Sequence, residues 1–241
     1  MKKIIKNFFN KLGYDLKKKD KDFTNIDLED LLKIKINENP IIFDVGGNKG
    51  QSVTKYKKIF KKPIIHTFEP IKSQFNIINE KFKNDKSVKL NNYALGEIKG
   101  EKEFNISAQT GASSFNKINQ NSKWIEVRSK EYQTTINKFV SSTKVKIFTL
   151  DDYFLNNNID KIDLLKIDTE GYEFNVLKGL AKHNDKIKLV YFEHHYDDMI
   201  IKNYKFTDIH CLLKSYGFIK IKKSKMIFRK SFEYVYENQK I

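Results

Sequence analysis

Residues 40–52, Pro40-Ile41-Ile42-Phe43-Asp44-Val45-Gly46-Gly47-Asn48-Lys49-Gly50-Gln51-Ser52, decide how this chain folds. A short apolar run with the length of a strand gives way to a glycine-bearing turn, and a helical pattern follows. In an open α/β sheet, the turn at the carboxyl edge of the first strand is where a nucleoside-containing ligand is held. Gly46 and Gly50 permit a tight turn and a close backbone approach that a side chain would block.

Downstream of this stretch the rhythm repeats. Ile64-Ile65-His66-Thr67-Phe68, Val88-Lys89-Leu90, Ile162-Asp163-Leu164-Leu165-Lys166-Ile167 and Leu189-Val190-Tyr191-Phe192 are short strand candidates separated by helical patterns. Such alternation predicts a parallel sheet with helices on both faces. Phe218-Ile219-Lys220-Ile221 and Phe232-Glu233-Tyr234-Val235-Tyr236 follow one another with no helix between them, so an antiparallel hairpin is expected at one edge. Between the third and fourth parallel strands, residues 97–149 read as a long irregular connection. It holds one strand candidate, Glu103-Phe104-Asn105-Ile106, and a polar loop, Thr110–Phe115. A connection of that length inside a compact domain is expected to act as a lid or substrate wall.

Upstream, Ile4, Ile5, Phe8, Phe9 and Leu12 fall on one helical face and Lys2, Lys3, Lys6 and Lys11 on the other. Residues 2–19 are therefore expected to pack this helix on the domain or to touch an anionic membrane surface weakly. Lys17–Asp22 is a charged linker. The chain divides into residues 1–22 and a single domain over 23–241, with an insertion at about 97–149.

With 241 residues, 39% hydrophobic and 13% aromatic, the chain is long enough for one globular α/β domain. Lys and Arg number 46 against 30 acidic residues, a formal charge of +16. A surplus of this size raises nucleic acid or an acidic membrane as a partner. Nearly all of it is lysine, accompanied by many Asn and Ile, the bias an AT-rich genome imposes. Arginine, the better reader of bases and phosphates, is represented only by Arg128 and Arg229, and no specific nucleic acid is expected. The single Cys211 reads as a small buried residue in a helix and fits a reducing compartment. No early stretch has the apolar core of a signal peptide, and none approaches the roughly 18 residues of a spanning helix. The reading is cytoplasmic, peripheral to the inner membrane face if residues 2–19 dock there.

Two carboxylates narrow the cofactor. Glu69, in Phe68-Glu69-Pro70, stands nineteen residues beyond Gly50 at the end of the second strand. An acid there accepts hydrogen bonds from both ribose hydroxyls. A dinucleotide site carries G-x-G-x-x-G and aims backbone amides at a pyrophosphate. Here the loop is Gly-Gly-Asn-Lys-Gly, and the leading Asp44 would repel a pyrophosphate while suiting the ammonium and sulfonium of S-adenosylmethionine. That argues against a nicotinamide-dependent oxidoreductase.

Asp44–Gly50, Phe68-Glu69-Pro70, Ala94-Leu95-Gly96, Thr149-Leu150-Asp151-Asp152 and Asp163–Glu173 follow one another in an order and spacing that resembles the FkbM-type methyltransferases. The likeness covers roughly Pro40 to His195. Gly47 stands where that family usually has Ala, and Thr169 where it often has Val. The resemblance implies a Rossmann-like class I fold: a mostly parallel seven-stranded sheet with a C-terminal antiparallel hairpin and helices on both faces. It also implies methyl transfer from S-adenosylmethionine, usually to a hydroxyl of a sugar, glycan or natural product. Asp44 and Gly46, with Asn48 and Gly50 of the same loop, would lie near the methionyl moiety, Glu69 on the ribose, and Asn92 and Ala94 near the adenine.

Methyl transfer is an in-line displacement, so catalysis rests on aligning the acceptor oxygen, excluding water and removing a proton. The carboxyl ends of the fourth and fifth parallel strands carry Asp168 and Glu170, then Glu193, His194 and His195. Asp168 would hold the methionyl ammonium or receive the acceptor's proton. Glu193 and then His194 are the next candidates, and Glu170 would either act there or cap the following helix. A metal-assisted variant would need Asp168, Glu193 and His194 to converge on Mg²⁺ or a similar ion. His66 is expected in the core, and His183 and His210 in surface or helix packing. An RNA ribose methyltransferase, suggested by Lys166 beside Asp168, and a non-catalytic basic binding module are the other classes consistent with the sequence.

Overall fold

The structure is a computed structural model that describes residues 26–226 and 230–241, apart from the side chains of residues 136 and 137. The amphipathic segment expected at 2–19, the linker to 22 and Arg229 lie outside the described residues. The strands are β1 (Ile41–Val45), β2 (Ile64–Phe68), β3 (Val88–Asn91), β4 (Ala94–Leu95), β5 (Gly100–Ser107), β6 (Val140–Phe148), β7 (Ile162–Ile167), β8 (Ile187–His195), β9 (Phe218–Lys223) and β10 (Ser231–Asn238). The principal helices are α1 (Leu28–Lys35), α2 (Gln51–Ile59), α3 (Lys72–Phe82), α4 (Lys123–Glu131), α5 (Leu150–Asn157), α6 (Glu173–Lys178) and α7 (Phe206–Tyr216).

Seven strands form one sheet in the order β3-β2-β1-β7-β8-β10-β9. The first five are parallel, and β10 runs antiparallel to both β8 and β9. This is the Rossmann-like class I arrangement expected from the sequence. The direction of strand order reverses between β1 and β7, and at such a switch point an open α/β sheet holds its ligands beyond the carboxyl ends of the strands.

Every residue of β7 is buried, as befits a strand covered on both faces. Leu165 and Ile167 join Phe43, Val45, Phe68 and Phe192 in one core, which α5 and α7 cover through Tyr153, Phe154, Ile209 and Leu213. Leu164 joins Ile42, Ile65, Leu189 and Val235 in the other, covered by α1 and α2 through Leu31, Leu32, Val53 and Tyr56. Each fully buried aliphatic side chain contributes about 1.5–3 kcal/mol. The Thr149-Leu150-Asp151-Asp152 motif serves this packing: Thr149 and Asp152 form a capping box at the start of α5, and Asp151 accepts from the backbone and ring of His183. No described helix is long and apolar enough to cross a membrane.

Residues 97–149 are more ordered than the irregular connection expected. β5 pairs antiparallel with β6 from Gly100↔Ile147 to Ser107↔Val140, and β4 adds parallel to β6, giving a second sheet in the order β4-β6-β5. β6, Val140-Ser141-Ser142-Thr143-Lys144-Val145-Lys146-Ile147-Phe148, is hard to read from sequence because serine and lysine on its exposed face dilute the apolar signal. Its Val145 and Ile147, with Phe104 of β5, pack into the main core.

Cys211 is exposed on α7 rather than buried, because Ile209, His210 and Leu213 occupy the helix face turned to the sheet. His66 is a core residue, stacked on Phe43 and 2.7 Å from the Tyr153 hydroxyl. His210 is buried against the Tyr236 hydroxyl at 2.8 Å.

Candidate functional site

The loop after β1 is packed backbone to backbone on the loop after β7. Gly46 has φ +88°, and a Cβ there would overlap the carbonyl oxygen of Asp168. The Asp168 amide donates to the Val45 carbonyl at 2.9 Å, and the Gly46 and Gly47 amides both donate to Phe68 at 3.0 Å. Asn48 is left-handed at φ 46°, and Gly50, at φ +78°, caps α2. No side chain but hydrogen fits at Gly46 without prising the two loops apart.

Glu69 is buried at the end of β2. Its Oε2 accepts from the Asn48 amide at 2.8 Å and its Oε1 from the Ile71 amide at 2.7 Å. Burial pushes this carboxyl up to about 7, against the two amides that favour its ionised form. Asn92 lies behind it, donating to the Glu69 carbonyl at 2.9 Å and the Pro70 carbonyl at 3.3 Å.

Beneath the loop lies a buried charge cluster. Lys166 Nζ sits 3.0 Å from Asp44 Oδ1 and 3.4 Å from Asp168 Oδ2, and donates to the Gly46 carbonyl at 3.3 Å. Lys166 and Asp44 are shut off from water, whereas the Asp168 side chain is 41% exposed. Burial alone would lower the lysine, but Asp44 and Asp168 reverse that and hold it well above its ordinary value. Asp44 was expected beside the ligand; instead it lies underneath, committed to Lys166.

A cavity opens over this floor. Gly46, Asn48, Glu69, Ala94 and Asp168 bound it on the main-sheet side, as does Glu170. Phe104, Ser113 and Phe115 of residues 97–149 also line it, as does Tyr172. Thr110 of that segment donates to Asn48 Oδ1 at 3.3 Å, joining the wall to the glycine turn. Asp44, Gly50, Asn92, Glu193 and His194 stand outside the lining.

The turn between β7 and α6 is organised by Glu173, a residue the sequence reading passed over. Its buried Oε1 accepts from the Thr169 amide at 3.3 Å, the Thr169 hydroxyl at 3.0 Å and the Gly171 amide at 2.9 Å, while Oε2 accepts from the Tyr204 hydroxyl at 2.7 Å. Glu170 therefore does not cap α6. It is left-handed at φ 51°, and its Oε2 lies 3.3 Å from His195 Nε2. Glu193 Oε1 lies 3.7 Å from the same nitrogen.

His194 is turned the other way. Neighbouring residues of a strand face opposite sides, so His195 and Glu193 share a face and His194 enters an aromatic cluster of Tyr196, Tyr204 and Phe206. Burial lowers His194 to about 3, leaving it neutral and a poor proton acceptor. Asp168, Glu193 and His194 thus do not converge, and among the described residues no group of three His, Cys, Asp or Glu side chains is arranged to hold a metal. Lys166 was discounted in a lysine-rich chain. The signal that marks it is position: a lone cation inside Leu164-Leu165-Lys166-Ile167 has to find a carboxylate.

The FkbM methyltransferase domain profile matches residues 44–220. Methyltransferase 1 of Beauveria bassiana (strain ARSEF 2860) is 28% identical over 189 residues, which span 75% of this chain and 73% of that protein. The 2-O-methyltransferase NoeI of Sinorhizobium fredii (strain NBRC 101917 / NGR234) is 23% identical over 156 residues, 65% of this chain and 63% of that protein. A crystal structure of a candidate rRNA-methylase from Clostridium thermocellum has a TM-score of 0.50 at 11% identity, over 87% of this chain and 92% of that one, a likeness of fold alone. With the profile match running from the Asp44 turn through β7 and β8 into β9, this chain belongs to the FkbM methyltransferase family and is a methyltransferase.

Proposed function

We propose that the protein transfers the methyl group of S-adenosylmethionine to a hydroxyl oxygen of a sugar, glycan or natural product. The observation that carries this reading is a single cavity at the β1/β7 switch point in which Glu69 and Asp168 face the same space. Its chemistry suits a cationic nucleoside: the carboxylates of Glu69, Asp168 and Glu170 line it, and so do Phe104, Phe115 and Tyr172 for an apolar base. An oxygen acceptor is supported by the name of the Sinorhizobium relative, a 2-O-methyltransferase.

Bound there, S-adenosylmethionine supplies an electrophilic methyl carbon on a positively charged sulfur. Glu69 holds the ribose: each carboxylate oxygen already accepts one backbone amide and keeps a further lone pair for a hydroxyl. Gly46 and Asn48 border the methionyl end. Ala94 lies against the adenine, with Asn92 shaping the turn behind it. Asp168 accepts a hydrogen bond from a neighbouring hydroxyl of the acceptor and so holds the reacting oxygen in line. Lys166 orients Asp168 from below. Glu193 acts only through His195, as a positioning residue.

Calorimetry with S-adenosylmethionine, S-adenosylhomocysteine and NAD tests the cofactor, and tighter binding of NAD overturns the reading. Glu69→Ala should weaken S-adenosylhomocysteine binding at least about tenfold, the loss of roughly 1.4 kcal/mol of hydrogen bonding. Asp168→Ala should leave that binding within about twofold and lower turnover about 10²-fold. Transfer to amines rather than hydroxyls across a panel of monosaccharides, oligosaccharides and hydroxylated natural products would overturn the oxygen assignment.

A further inference from the structure

We propose that Glu170 is the proton acceptor of the cavity, with His195 as its positioning partner: a cationic methyl donor leaves Glu170 ionised, and Glu170 takes the acceptor's proton. This rests on the donor assignment made above.

Glu170 bounds the cavity, and His195 Nε2 lies 3.3 Å behind its Oε2, on the side away from the ligand space. Glu170 holds its place with a left-handed backbone at φ 51°, which costs an ordinary residue on the order of 1 kcal/mol.

Charge around the pair is acidic. Glu170 faces Asp168 and Glu193 as well as His195. His195 faces Glu170, Glu193 and Glu173, with His194 adjacent in the strand and Lys202 donating to its own carbonyl. Glu233 lies opposite Glu193 across the β8–β10 pair. Burial pushes Glu170 up to about 7, so in the resting protein near neutral pH it is partly protonated. Burial pulls His195 down, but Glu170 and Glu193 outweigh it and hold the imidazolium up to about 9. A sulfonium entering a cavity that Glu170 bounds favours the carboxylate and drives off the proton it carries. In the transfer, a bond forms between the acceptor oxygen and the methyl carbon, and the carbon–sulfur bond breaks with its electron pair left on sulfur. The hydroxyl proton goes to Glu170, which is left as the neutral acid beside the His195 imidazolium. A carboxyl near neutrality is matched to that task.

S-adenosylmethionine and S-adenosylhomocysteine differ by one methyl group and one positive charge, so the full chain can be tested without knowing the acceptor. Their binding is measured at pH 7 in phosphate and in Tris, whose ionisation enthalpies differ, to count protons released. Wild type should release several tenths of a proton more with S-adenosylmethionine, and Glu170→Gln should abolish that difference while binding S-adenosylhomocysteine within about threefold of wild type. NMR titration of the His195 ring should show it losing its proton at lower pH in Glu170→Gln. An unchanged difference in the variant, an unmoved His195, or loss of both ligands from the variant overturns the proposal, the last because it would make Glu170 part of the donor site. If wild type binds neither ligand, the donor assignment itself fails.

Discussion

Two clusters at the carboxyl edge of the sheet have the same stoichiometry, one cation between two acids, and differ in almost everything else. Under the glycine turn, Lys166 stands 3.0 Å from Asp44 and 3.4 Å from Asp168 and is bound to the Gly46 carbonyl. Beside the cavity, His195 stands 3.3 Å from Glu170 and 3.7 Å from Glu193. Lysine between two acids keeps its charge at every physiological pH, so the first cluster is a fixture. Imidazole gives up a proton at moderate cost, and its partner carboxyl is itself pushed up to about 7, so the second is a place where a proton can move. The choice of base, lysine or histidine, separates scaffold from chemistry.

The contrast breaks most sharply at Lys166. Lys166→Met leaves Asp44 buried with no cation, and removing one partner of a buried pair costs about 3–5 kcal/mol. Urea unfolding should register that loss. A variant as stable as wild type would mean the fixture is dispensable.

Glu69 offers a smaller and pH-dependent effect. Its folded value of about 7 lies above the ordinary 4.5, so between those values the folded state binds the more protons. Stability attributable to this group is greatest below the ordinary value and falls as pH rises through about 7, by on the order of 3 kcal/mol in all. Glu69→Gln should flatten that fall by the same amount when unfolding is followed from pH 4 to 8. A slope identical to wild type would place the Glu69 carboxyl at its ordinary value.

The smallest effect belongs to His194. Because it is neutral and packed among Tyr196, Tyr204 and Phe206, His194→Phe should change stability by less than about 1.5 kcal/mol, as a near-isosteric core exchange does. Turnover should stay within about twofold. A large loss of turnover with normal stability would return His194 to the chemistry.

These outcomes bear on what sequence could and could not disclose. β1, β2 and β7 were legible because each is an apolar run bounded by a turn, and Asp168 because it ends the most apolar of them. The choice between His194 and His195 was not legible: two adjacent residues of a strand differ only in facing, and facing follows from the pairing with β7 and β10. Lys166 was hidden by the lysine surplus, which made a buried ammonium look like the many on the surface. Glu173 carried no signal because its partners, the Thr169 and Gly171 amides, belong to a turn whose shape depends on it. β6 failed for want of contrast, since its exposed serines and lysines mask a strand that only β5 and β4 complete.

The absent carbon at Gly46 has one further consequence. With the glycine turn resting directly on the Asp168 carbonyl, neither loop can shift alone. Any movement that widens the mouth beside Asn48 drags Asp168 along, as one tooth of a gear drives the next. The β1 and β7 turns are in that sense one mechanical part.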